Sequence, residues 1–102
     1  LKAGDHTAWL LVPHAIRRFA EQDADERSNL TSAFLSYLEC DMNVKLTAER
    51  LYVHPNTVRY RLGKIQDRTG CDMRRVDDLA QLLIAIRIHR MLVTQSRLGG
   101  IR

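Results

Sequence analysis

An all-α fold, a compact domain of about five helices, is what this chain of 102 residues predicts, on three observations. Apolar residues recur at helical spacing along most of its length. No segment sustains the alternation of apolar and polar side chains that a half-buried strand needs. The breakers are sparse, two prolines and five glycines, and most fall where helices would begin or end. With 45% apolar content the chain can build one hydrophobic core without metal or disulfide support, so it is expected to fold as a single domain over residues 1–102, its core between about 13 and 93.

Pro13 suits a first helical turn, where its missing N–H is no loss, and Val12, Ile16, Phe19 and Ala20 would share one face around it. The first helix therefore begins near Pro13. Glu21, Asp23, Asp25 and Glu26 follow as a solvated connection, or as the first turn of the next helix, where negative charge complements the dipole. Leu30, Ala33, Phe34, Tyr37 and Leu38 then fall at i, i+3, i+4, i+7 and i+8, the stripe of a helix laid on a core. After Asp41, Asn43 can cap a shorter helix whose inner face is Val44, Ala48 and Leu51. Pro55 opens another after a break of about three residues, with Val58, Leu62 and Ile65 inside and Gly70 placed to end it in a left-handed conformation. Asp77 and Asp78 open the last helix, from about Val76 to Val93, and Arg87 and Arg90 lie towards its end as the dipole prefers. Its apolar residues Leu79, Leu82, Leu83, Ile84, Ala85, Ile86, Ile88, Met91 and Leu92 are too many for one stripe. That helix is expected either to be central or to dimerise. The tail from Ser96 to Arg102, with Gly99 and Gly100 adjacent, is expected to fray.

Composition narrows the function. The longest apolar runs, Ala8 to Val12 and Leu82 to Ile86, fall far short of the ~20 residues that span a bilayer. Cys40 and Cys71 are 31 residues apart, without a C-x-x-C spacing or paired histidines, so neither a disulfide framework nor a zinc site is signalled and a reducing cytoplasm fits. His6, His14 and His89 have no partner at metal spacing and read as surface or filler. No cofactor and no metal are expected. No nucleophile motif, phosphate-cradling glycine loop or ligand cluster supports an enzyme. The chain opens on Leu1 rather than Met and carries no signal peptide, which suggests a piece of a longer protein. Its net charge of +4 permits an acidic partner, and position decides which.

The informative segment runs from Asn43 to Gly70: a short helix, a tight turn and a longer helix with a compact inner row, the outline of a helix-turn-helix. Two steeply crossing helices need a small residue where they touch, which Ala48 supplies, while Val53, Val58 and Leu62 fill the angle. With about 100° per residue and Leu62 inward, the outward arc of the second helix holds Asn56, Arg59, Tyr60, Gly63, Lys64 and Asp67. Arg61 and Arg68 flank it. Residues 54–75 carry six basic side chains against two acidic ones, a net +4 within the segment. Such a helix suits a major groove, where arginine can take guanine bidentately and asparagine adenine. Thr57 and the helix N-terminus would hold phosphates. Gly63 would let backbone approach DNA, at a cost of about 1 kcal/mol in helix propensity. His54 is expected to be an N-cap or turn residue.

The run from His54 to Ile65, HPNTVRYRLGKI, followed by Thr69 and Gly70, resembles the C-terminal helix-turn-helix of PucR/CdaR-type bacterial transcriptional regulators. Leu35 to Leu38, Asn43 and Ala48 to Leu51 resemble that family's preceding helices, and Leu79 to Leu92 its closing apolar helix, so residues 13–93 are covered. The chain departs from the family pattern at Pro55, where a basic residue is usual, and at Gly63, where a longer side chain is common. These departures bear on the operator sequence more than on the fold. The resemblance implies a DNA-binding domain at the C-terminal end of a longer, cytoplasmic regulator, acting on promoter DNA, whose upstream part senses a signal. Asn56, Thr57, Arg59, Tyr60 and Arg61 match the family's recognition helix, with His54 and Lys64 as further candidates.

A single helix offers few base contacts, so two copies on a roughly palindromic site, recognition helices about 34 Å apart, are expected. The competing reading is a helical interaction or dimerisation module whose basic face reads no sequence. The two separate experimentally: a DNA reader loses affinity steeply with salt and prefers one sequence.

Overall fold

The computed structural model describes residues 12–26 and 29–100; His6, the run Ala8–Leu11 and the last two residues lie outside them. Among the described residues there are five α-helices and no strand: α1 His14–Glu26, α2 Leu30–Glu39, α3 Val44–Leu51, α4 Pro55–Thr69 and α5 Val76–Gly100. The fold is all-α, as the spacing predicted.

Pro13 stands just before α1 and its carbonyl accepts from the Arg17 N–H at 3.0 Å, so the proline lies where its own missing N–H costs nothing. Ile16, Phe19 and Ala20 turn inward with Val12. The acidic patch departs from its expected role. It lies on the last turns of α1, and Asp23 is buried, at 2% exposure, rather than solvated. One oxygen of Asp23 accepts from both the backbone N–H (3.0 Å) and the hydroxyl of Thr31. Free N–H groups at a helix start need acceptors, and here α1 supplies one to α2 across the corner.

On α2, Leu30, Ala33, Phe34 and Tyr37 are buried along the predicted stripe. The Tyr37 hydroxyl donates to the Met73 carbonyl at 3.1 Å, tying α2 to the connection between α4 and α5. Burial, with the nearby Asp72 charge, raises the Tyr37 pKa above its ordinary value. In the same connection Cys71 and Met73 are buried, and Gln66 on α4 accepts from the Met73 N–H at 2.8 Å. Asp72 accepts from the Arg74 N–H at 2.8 Å, and that bond first, helped by the charges of Arg74 and Arg75, holds its carboxyl below the usual range against the opposing effect of desolvation. Both cysteines are free thiols.

The core joins all five helices, and its largest fully buried side chains are Phe19, Phe34, Ile65, Leu82, Val58 and Thr47. α4 is the hub, packing on α1, α2 and α3. α5 packs chiefly along α1, sending Leu79, Leu82, Ala85 and Ile86 into the core. Centrality therefore does not explain the apolar excess of α5: Val76 is 68% exposed, Ile84 54% and Met91 48%. The helix also continues past Val93 to Gly100, so the fraying expected from Ser96 is not seen over that stretch.

Candidate nucleic-acid interface

Three local devices set the angle between α3 and α4. The Asn43 side chain accepts from the Leu46 N–H at 3.0 Å, capping α3 in the manner of an asparagine N-cap. Its backbone carbonyl takes the buried Thr47 hydroxyl at 2.7 Å, which satisfies a polar group at 0% exposure. At the other end Tyr52 enters the left-handed region, φ 58°, and the Val53 N–H returns to the Ala48 carbonyl at 3.0 Å. Such a reversal lets the chain leave α3 and begin α4 within three residues, Tyr52, Val53 and His54.

His54 is the N-cap of α4, as expected: its Nδ1 accepts from the Asn56 N–H at 3.0 Å, and Pro55 holds the first helical position. Accepting at Nδ1 leaves the exposed Nε2 as the protonated nitrogen of the neutral ring. Val58, Leu62, Ile65 and Thr69 form the buried side of α4, and Ala48 lies buried in the same core. Gly70 ends the helix at φ 77°, its N–H returning to the Gln66 carbonyl at 2.8 Å.

With that side inward, Asn56, Arg59, Tyr60, Lys64 and Asp67 are all exposed. Two contacts order them. The Asn56 side-chain oxygen accepts from Arg59 Nη1 at 2.8 Å, and the Lys64 ammonium lies 5.5 Å from the centre of the Tyr60 ring. Asparagine and arginine thus stand one turn apart as a joined polar pair, while Tyr60 and Lys64 form a second pair one turn further on. Thr57 and Arg61 are half-buried and take the shoulder of the face rather than its crest. A Cβ built on Gly63 meets nothing within 4 Å, so no neighbour requires a glycine there.

The structure adds two residues that spacing did not single out, Tyr52 and Arg18. Tyr52 is 95% exposed at the turn itself. Its position in the break between helices was visible in the sequence; its left-handed backbone, which throws the side chain outward, was not. Arg68 joins Arg18 of α1 on the walls of a cleft of about 420 Å³ beside α4. A basic rim therefore spans two helices far apart in sequence. Conversely, Arg74 faces Asp72 at 3.4 Å, so part of the positive charge of residues 54–75 is locally matched, and on α3 Arg50 faces Glu39 at 3.2 Å.

Comparison with known proteins agrees with this arrangement. Residues 30–88 match the PucR C-terminal helix-turn-helix domain, which takes in α2, α3, α4 and the first half of α5. The chain belongs to that family. Among curated relatives, an uncharacterized protein of Haemophilus influenzae is 46% identical over 66 residues, covering 65% of this chain and 17% of its own length. The purine catabolism regulatory protein of Bacillus subtilis is 34% identical over 77 residues, 76% of this chain and 14% of its own. The DNA-binding transcriptional activator AdeR of the same organism is 26% identical over 78 residues, 76% of this chain and 18% of its own. The chain thus spans less than a fifth of the length of these relatives. The PucR-type assignment makes it a domain from a family of DNA-binding transcription regulators. Within this PucR-type domain no described helix is long and apolar enough to cross a membrane, and no group of three metal-ligating side chains is found among the described residues.

Proposed function

We propose that this chain is the sequence-specific DNA-binding domain of a bacterial transcription regulator, with α4 inserted in the major groove of promoter DNA. The observation that carries the reading is the outward face of α4, where Asn56 and Arg59 stand hydrogen-bonded at 2.8 Å on a helix whose opposite side is locked in the core. Arginine matches the O6 and N7 of guanine, and asparagine the N6 and N7 of adenine. A pair already joined loses less side-chain freedom on meeting a base edge. His54, through its Nε2–H, together with Thr57, Arg61 and Lys64, would position the helix on phosphates, and Tyr60 would lie against the sugar edge or a thymine methyl.

The domain works as two copies on a roughly palindromic site, recognition helices about 34 Å apart. It lies at the C-terminal end of a longer cytoplasmic regulator, and the sensory part belongs to the remaining four-fifths or so that the relatives possess.

Selection from a random-sequence DNA pool at two salt concentrations tests this. The expected result is an enriched motif bound with an affinity that falls steeply as salt rises. Weak binding that enriches no motif would overturn sequence reading and favour the interaction module.

A further inference from the structure

The exposed side of α5 is the largest feature that DNA reading leaves unused. Taking Ile84 as the centre and about 100° per residue, the arc within 60° holds Asp77, Ala80, Gln81, Ile84, Arg87, Ile88 and Met91 between Val76 and Val93, with Gln95 continuing it as a polar end. Ala80, Ile84 and Met91 are exposed and Ile88 is half-buried, so this is a narrow apolar seam. On one flank it runs into a mostly apolar groove of about 290 Å³ between Leu38, Met42, Val76 and Leu83, which Asp41 also lines. Met42 is 44% exposed there.

The charges along this seam are polarised. Asp77 stands at its N-terminal end and Arg87 on its C-terminal half, and neither has an ion-pair partner among the described residues. A copy laid parallel would set aspartate against aspartate and arginine against arginine. A copy laid antiparallel, with the two-fold axis at Ile84, sets Asp77 within about 6 Å along the axis of the other copy's Arg87, at about 1.5 Å of rise per residue. Met91 of the second copy then falls level with Asp77, beside Val76 and the mouth of the groove. Flanking charges fix orientation in paired helices in this way.

We infer that the Ala80, Ile84 and Met91 face of α5 is the contact between two copies of this chain, paired antiparallel about a two-fold axis at Ile84. The arrangement is self-complementary, as a closed two-fold interface requires. It rests on the two-copy part of the proposed function and names the surface that supplies it.

Sedimentation of the chain alone, without DNA, from micromolar to sub-millimolar concentration tests the contact. The wild-type chain should associate to a dimer, and Ile84→Glu should weaken that association at least about tenfold while the far-ultraviolet spectrum stays helical. Ile84 is 54% exposed, so the change leaves the core intact. Asp77→Lys should weaken the dimer, and adding Arg87→Asp to it should restore association. A wild-type chain that remains monomeric, or an I84E variant that dimerises as well as wild type, overturns the inference. Failure of restoration by the double charge reversal overturns the antiparallel orientation. Binding of wild-type and I84E chains to a duplex with a single half-site separates the two readings. Specific binding by a chain that never self-associates sinks this interface and leaves DNA reading standing, whereas dimers without sequence preference do the reverse.

Discussion

Helices α4 and α5 exchange the roles that their composition suggests. α4 is rich in arginine and polar residues, yet it is the hub of the domain, touching three other helices through Val58, Leu62, Ile65 and Thr69. α5 carries more apolar residues than any other helix, yet it lies along one side of the domain and leaves Val76, Ile84 and Met91 in solvent. Four inward positions are enough to anchor a helix of fifteen residues, which frees the rest of α4 to carry charge. A helix held in this way presents its outward side chains on a rigid base. On α5 the excess apolar surface has no work to do inside the monomer, and its stickiness is directed outward.

The sharpest way to break this contrast is Leu62→Asp. Leu62 is 6% exposed on the anchoring side of α4, and a carboxylate there would be buried without a partner. The expected loss is about 4 kcal/mol or more of stability, seen as lost helicity by circular dichroism. The corresponding Ile84→Glu on α5, melted at a concentration where the wild-type chain is monomeric, should leave the thermal transition nearly unchanged, since surface substitutions commonly stay within about 0.5 kcal/mol. Equal effects from the two would erase the distinction between anchor and seam.

Arg59→Ala probes the outward side of the same helix. It should leave stability nearly unaltered and weaken binding to the selected DNA by about 1 to 3 kcal/mol, with relaxed preference at one base position. Measured by titration against a panel of single-base variants, uniform weakening would instead make Arg59 a phosphate contact. Its partner Asn56, held at 2.8 Å, should show coupling to Arg59 in a double-mutant cycle.

The same contrast shows what sequence could tell. The helix starts at Pro13, Asn43 and Pro55 and the stop at Gly70 were legible because each rests on local backbone chemistry. So was the inner row of α4, which depends only on helical periodicity. The place of α5 was not, because periodicity counts apolar residues without saying which neighbours cover them. Asp23 was hidden for a related reason: its partner is the N-terminus of the following helix, eight residues away at Thr31, and nothing in the local pattern distinguishes it from solvated neighbours such as Glu21. Within the site, the helical wheel already put Tyr60 on the outward arc and Arg61 on its flank, and the packed structure agrees, with Arg61 half-buried and Tyr60 at 65% exposure.

Smaller effects test the geometry between the two motif helices. Asn43→Ala removes the cap of α3 and should cost about 1 kcal/mol, read as a shift of the denaturant midpoint. Because α3 sets the angle of α4 through Ala48 and Thr47, part of that loss should also appear as weaker DNA binding. A cap lost without any change in affinity would show that α4 keeps its orientation through α1 and α2 alone.

Gly63 gives a stability change no larger than that of the α3 cap, and of opposite sign. Glycine within a helix is destabilising by about 0.5 to 1 kcal/mol relative to alanine, and such a residue needs a packing or functional reason. Packing is excluded, because a Cβ at Gly63 meets nothing within 4 Å. Gly63 also lies between Asn56 and Asp67 on the exposed arc of α4, where the backbone would come nearest to a groove. Gly63→Ala should therefore raise the melting temperature while lowering affinity for the selected DNA, two effects of opposite sign from one methyl group. Thermal melts and DNA titrations on the same preparation measure both. A variant that is more stable and binds DNA undiminished would mean that the helix stands further from the bases than proposed, with recognition carried by the long side chains of Arg59 and Lys64 rather than by close approach.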